Sequence, residues 1–104
     1  MNELKKLMDS AKLEAFEKHS PAIGSVLWER AVQDRKWGEQ NHPDVWWLAI
    51  LTEEVVELRR AILEDHFGDK AKANIREEAV QCAAVALAMV ECIDRREVAQ
   101  EDGE

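Results

Sequence analysis

Only four glycines and two prolines punctuate 104 residues, and no stretch alternates apolar and polar side chains with the period of a strand. A chain so poor in breakers, with apolar residues recurring every three or four positions, is committed to helices. Four are expected. Leu4, Met8, Ala11 and Ala15, with Leu7 alongside, mark a helix over 2–18. Ser20-Pro21 interrupts it, and Gly24-Ser25 offers a cap for a second helix over 25–37 that Gly38 ends. The segment GEQNHPD (38–44) is the polar loop inside the domain, with Asp44 as the next cap. A long helix follows over 45–67, closed by Gly68, and another over 71–96. The last residues, EVAQEDGE (97–104), hold four acids and no base, and are expected to fray into solvent.

The whole of 1–104 reads as one all-α domain, with its core in 25–96, an N-terminal helix in 1–20 and the acidic tail in 97–104. Its net charge of −8 argues against duplex nucleic acid, which needs a basic footprint, and against an anionic membrane surface. No apolar run approaches the ~20 residues of a membrane span. The N-terminal MNELKKLMDS has no apolar signal core, so a cytoplasmic location is expected. Cys82 and Cys92 share one helical stretch, ~15 Å apart along its axis, too far to bridge each other. At 11.9 kDa the core is thin, and self-association is the natural way to bury more apolar surface.

The informative defects lie on the two long helices. Trp47, Leu51, Leu58 and Ile62 form an apolar stripe, and its missing member, between Ile50 and Leu58, is Glu54. Glu57 lies at the edge of the same stripe beside Ala61, and Glu53 sits one turn before Glu57. On the next helix Ile75, Cys82, Val85, Met89 and Cys92 form the stripe, and position 78 within it is Glu78, with Gln81 three residues on. Acids are rarely buried unless paired or bound to metal. Three that meet across a helix pair repel one another, which raises their pKa values or demands a cation. Carboxylates and an amide oxygen at this spacing suit Mg²⁺ or Mn²⁺. The alternative is a solvated helix face, with Glu57 paired to Arg60 at i+3. The repetition of the defect on both helices favours the cation.

These residues also carry a family resemblance. Glu53-Glu54-Val55-Val56-Glu57 followed by Glu78-Ala79-Val80-Gln81 resembles the EExxE…ExxD signature of the all-α nucleoside triphosphate pyrophosphatases, which include MazG, the dimeric dUTPases and phosphoribosyl-ATP pyrophosphohydrolase. The stretches ERAVQDRKWGEQNHPD (29–44) and EEAVQCAAVALAMVE (77–91) are most similar to the small MazG-like proteins of phages and bacteria. The likeness covers roughly 25–94.

The resemblance implies a four-helix MazG-like bundle completed as a homodimer or homotetramer. It implies hydrolysis of a nucleoside or deoxynucleoside triphosphate to the monophosphate and pyrophosphate, with Mg²⁺ or Mn²⁺. It places the metal ligands at Glu54, Glu57 and Glu78, with Gln81 standing where the motif has Asp, at the loss of one negative charge. Glu53 is then a surplus carboxylate able to orient or deprotonate the attacking water. Lys36, Arg30 and Arg76 are candidates for phosphate contacts. In the loop, Trp37 can stack on a base while Gln40, Asn41 and His42 offer donors and acceptors. Equally, Trp37 can anchor the helix end while His42-Pro43 shapes the turn. Trp28, Trp46 and Trp47 are assigned to packing. Gln81 motivates one alternative from another class, a non-catalytic helical module that binds a nucleotide or a protein.

Overall fold

A computed structural model describes residues 2–68 and 74–102. They form three helices, α1 (Asn2–Trp37), α2 (Asp44–Phe67) and α3 (Ile75–Asp102), with no strand among the described residues.

The two N-terminal helices expected on either side of Ser20-Pro21 are one helix. Pro21 lacks the N–H that the Glu17 carbonyl would accept. The Ser20 hydroxyl donates to that carbonyl instead, at 3.2 Å, and one turn on the Ser25 hydroxyl donates to the Pro21 carbonyl at 3.1 Å. With the orphaned carbonyl satisfied, the proline does not end α1, and Gly24 is helix interior rather than a cap. Gly38 ends it as expected: its φ of +73° is the left-handed conformation of a helix C-terminus, and its N–H bonds the Asp34 carbonyl at 2.8 Å.

Asp44 is not the cap of α2. Pro43 holds that position, and Asp44 lies in the first turn with its Oδ1 2.6 Å from Arg96 Nη2. Gly68 closes α2 through its N–H to the Glu64 carbonyl. α3 starts on Asn74, whose Oδ1 accepts the Glu77 N–H at 3.0 Å while its Nδ2 donates to Glu77 Oε2 at 2.8 Å. The tail expected to fray from 97 is helical through Asp102, because Glu97 to Asp102 contain no breaker. The expected helix start over 71–73 and the last two tail residues lie outside the described residues.

α3 is the central element. α2 packs along it antiparallel: Trp47 near its start joins Val85, Ala88 and Cys92 in the buried cluster, with Ile50, Leu51 and Met89 around it. Ala84 and Ala88 are buried on α3, small side chains that allow close helix approach. Ala61, rather than Ile62, is the buried residue at the far end of the α2 stripe. α1 runs along another side of α3 in the same direction, with Ser25 meeting Arg76 and Arg30 meeting Glu91. The backbones of α1 and α2 do not approach each other.

Two of the three tryptophans assigned to packing are exposed. Trp46 is one residue from buried Trp47, about 100° round the helix, and Trp28 turns away from the side on which Val26, Glu29 and Arg30 meet α3. Both cysteines are free thiols. The chain is elongated, 57 × 36 × 22 Å, with a radius of gyration of 17.7 Å against about 13 Å for a compact domain of this length. No helix among the described residues is long and apolar enough to cross a membrane.

The small core makes Trp47 decisive for stability. Trp47→Ala should cost about 3–5 kcal/mol in urea denaturation, enough to unfold a marginal domain, because it leaves a large cavity. Trp46→Ala, on the exposed neighbour, should cost under about 1 kcal/mol.

Candidate active site

Because α1 and α2 both lean on α3 without touching, a cleft opens between them with α3 as its floor. It has a volume of about 270 Å³. Gln33 and Trp37 of α1 line one side, Ile50 and Glu54 of α2 the other, and Val85 and Ala88 the floor, with Gln40 of the loop at the end. Past Gln33 and Gln40 lies a second space of about 390 Å³, bordered by Arg30, Glu91 and Arg95. The apolar stripes that align α2 with α3 also set Glu54 at the mouth of this cleft.

Glu54 and Glu78 are the half-buried members of the acid group, whereas Glu53 and Glu57 are exposed. Burial, then the nearby Glu78, then Glu57, Glu29 and Glu53, push the Glu54 carboxyl above the ordinary carboxylate range. Burial, then Glu57 and Glu77, do the same to Glu78. Cys82, one turn beyond Glu78, is raised by burial and by both Glu54 and Glu78, so it stays a neutral thiol. Glu78 Oε2 is fully enclosed and has no hydrogen-bond partner. A buried carboxylate oxygen without a donor, facing other acids, is costly unless a proton or a cation meets it.

Glu57 has an alternative employment, since its Oε1 accepts from Arg60 Nη1 at 2.9 Å, the i+3 pair anticipated for a solvated face. Among the described residues no three His, Cys, Asp or Glu side chains form a ready-made metal cage. The donor set nevertheless fits a hard divalent cation: the oxygens of Glu54 and of the unpartnered Glu78, with Glu57 and half-buried Gln81 one turn away on either helix.

The loop residues divide. Trp37 is 61% exposed, and Lys36 Nζ stands 4.9 Å from its ring centroid. It therefore does not anchor the helix end in the core. Gln40 lines the cleft with its side chain while its carbonyl accepts from Arg95 Nη2 at 3.0 Å. Asn41 is tied to the scaffold, its Oδ1 accepting from Arg95 Nε and its Nδ2 donating to Glu39. His42 stacks edge-on to Trp47 with ring centroids 5.0 Å apart, shaping the turn. Arg30 is held by Glu91 at 2.6 Å and Asp34 at 3.0 Å, and Arg76 donates to Ser25.

Three contributors were not singled out from the sequence. Glu29 brings an α1 carboxylate to bear on Glu54, Gln33 lines the cleft, and Arg95 clamps the loop. Gln33 and Trp37 are one turn apart on one face of α1, a pattern visible in the sequence. The partner of Glu29 is on another helix and those of Arg95 are in the loop, all far away in the chain, and they left no such signal. Comparisons with protein-family models, curated proteins and solved structures find no match to this chain.

The raised carboxyls have a consequence for stability. A carboxyl whose folded pKa lies above its unfolded value binds its proton more tightly in the folded state. Its stabilising effect is complete below the unfolded value and is lost as pH rises through the folded one. Glu54→Gln and Glu78→Gln should therefore melt above the wild type at neutral pH without divalent cations. The gap should close as pH falls toward the ordinary glutamate value of 4.5, which thermal melts across that range will show.

Proposed function

We propose that the chain is a Mg²⁺-dependent nucleotide pyrophosphohydrolase, cleaving a nucleoside or deoxynucleoside triphosphate to the monophosphate and pyrophosphate. The observation that carries this is the pair Glu54 and Glu78: half-buried on facing helices, both raised above the ordinary carboxylate range, Glu54 in part by Glu78 itself, with Glu78 Oε2 lacking any donor. The motif likeness over 53–57 and 78–81, the cleft running from Glu54 to Trp37, and the exposed Trp37 ring support it as well. A bound divalent cation supplies charge neutralisation of the triphosphate and acidification of a water.

The residues of the chain divide the remaining work. Glu54 and Glu78 hold the cation side of the site, with Glu57 and Gln81 beside them. Glu53, exposed and unencumbered by the core, is the carboxylate available to orient the attacking water or take its proton. Trp37 offers a face for stacking, and Lys36 above it brings a positive charge to a cleft in which Glu54 is the acid among the lining residues. A protein of net charge −8 accommodates a polyanion only where cations bridge the two.

The active form is a homo-oligomer, a dimer or tetramer in which a second copy completes a four-helix arrangement. The accessible area of 8409 Å² exceeds by about 2,500 Å² that of a compact monomer of 11.9 kDa. Much of the excess is apolar, including Leu4, Leu7, Leu13 and Phe16 on α1 and Ile62 and Leu63 on α2. An excess of that size matches what obligate interfaces bury. Sedimentation equilibrium should show no substantial monomer at micromolar concentration.

One observation favours a second reading, a nucleotide-binding module without catalysis. Gln81 removes a charge, and no three-acid cage is formed among the described residues. A panel of nucleoside and deoxynucleoside triphosphates with Mg²⁺ decides between them. Pyrophosphate should be released from at least one, and Glu54→Gln and Glu78→Gln should each lower the rate by about 100-fold or more. Full activity in both variants removes the site assignment. Binding by calorimetry with the nucleotide recovered intact establishes the module.

A further inference from the structure

Gln33 is the one polar side chain that lines both parts of the cleft from α1 without belonging to an ion pair. It is half-buried, and its Oε1 accepts a hydrogen bond from Arg30 Nη1 at 3.3 Å. Arg30 is itself fixed, with Nε 2.6 Å from Glu91 Oε1, Nη1 3.0 Å from Asp34 Oδ1, and a side chain only 12% exposed. A guanidinium donates and never accepts, so it holds the Gln33 amide one way round. The oxygen is turned to Arg30, which leaves the NH₂ group as the end of Gln33 turned away from it. Trp37 lies one helical turn on, along the same border of the cleft. A flat exposed ring beside an amide whose oxygen is already bonded is a recognition surface for an aromatic heterocycle with an acceptor on its edge.

We propose, on the basis of the nucleotide reading above, that Gln33 selects the base: its NH₂ group donates to an exocyclic carbonyl of a base stacked on Trp37. Uracil and thymine O4 and guanine O6 provide that acceptor. Cytosine and adenine carry an amino group at the corresponding place, so a donor meets a donor and both lose a partner. The ion-paired Arg30 is thereby a positioning residue, acting through the amide it orients.

The test uses the full chain with Mg²⁺, titrated with the non-hydrolysable α,β-imido forms of dUTP, TTP, dGTP, dCTP and dATP and followed by tryptophan fluorescence. Wild type, Gln33→Glu and Gln33→Leu are compared after circular dichroism has established that each is folded. The wild type should bind the three carbonyl-bearing nucleotides about tenfold more tightly than the two amino-bearing ones. Gln33→Glu, which can only accept, should shift that ratio toward dCTP and dATP, and Gln33→Leu should level it. If Gln33→Glu does not fold, the levelling in Gln33→Leu decides. A ratio unchanged in the variants, or a wild-type preference for the amino bases, overturns the assignment of Gln33 while leaving the nucleotide site standing. Failure of every triphosphate to bind overturns both.

Discussion

The insertion of Trp47 among Val85, Ala88 and Cys92 is the contact on which the architecture depends. α3 offers small side chains there, so α2 comes close and one indole fills the space. That contact sets the register of α2 on α3, and the register brings Glu54 within electrostatic reach of Glu78. It also ties the loop: His42 packs edge-on to the same indole, and its carbonyl accepts from the Cys92 thiol at 3.7 Å. Arg95 and Arg96, a turn further along α3, then fasten Gln40, Asn41 and Asp44. Core packing and site geometry are therefore one system, and the fold has little stability to spare for a fault in either.

Putting α3 in the middle has a second effect. Two helices that rest on a third without meeting each other leave a groove, and groove-lining polar residues are then excused from core packing. Glu54, Gln33 and Gln40 occupy that groove from three different segments. Glu54 and Glu78 are held near one another by apolar packing between α2 and α3 rather than by mutual attraction. Electrostatics works against the arrangement at neutral pH, and Glu78 Oε2 meets it without a hydrogen-bond donor. An arrangement that spends stability in this way beside a cleft is what marks Glu54 and Glu78 as candidates for a site.

Much of the fold was legible in the residues. The boundaries at Gly38 and Gly68 hold because a glycine there accepts a helix-ending geometry or simply stops the apolar period. The α3 stripe faces inward as its spacing requires, with Val85 and Cys92 buried and Ile75, Cys82 and Met89 half-buried, and Glu54 and Glu78 were visible as charges in apolar rows. Ser20-Pro21 was misleading because a hydroxyl one residue before the proline takes over the lost hydrogen bond, a substitution that spacing rules do not register. Asp44 was misleading because its carboxylate is drawn to Arg96, fifty-two residues away in sequence, rather than to its own helix end. Trp28 was misread because hydrophobicity says a side chain favours burial, and only the packing of neighbours says whether a partner is there.

By itself, then, the sequence determined the helical class, two of the helix ends and the rows in which carboxylates replace apolar residues, since all of these follow from local periodicity and from the backbone preferences of glycine. The tertiary structure decided which acids are enclosed and which are solvated, that Glu29 joins their field from α1, that Arg30 is spent on Glu91 and Asp34, and that Gln33 faces the cleft. Those outcomes depend on pairings between helices far apart in the chain, where geometry, not the composition of any one segment, sets which groups meet.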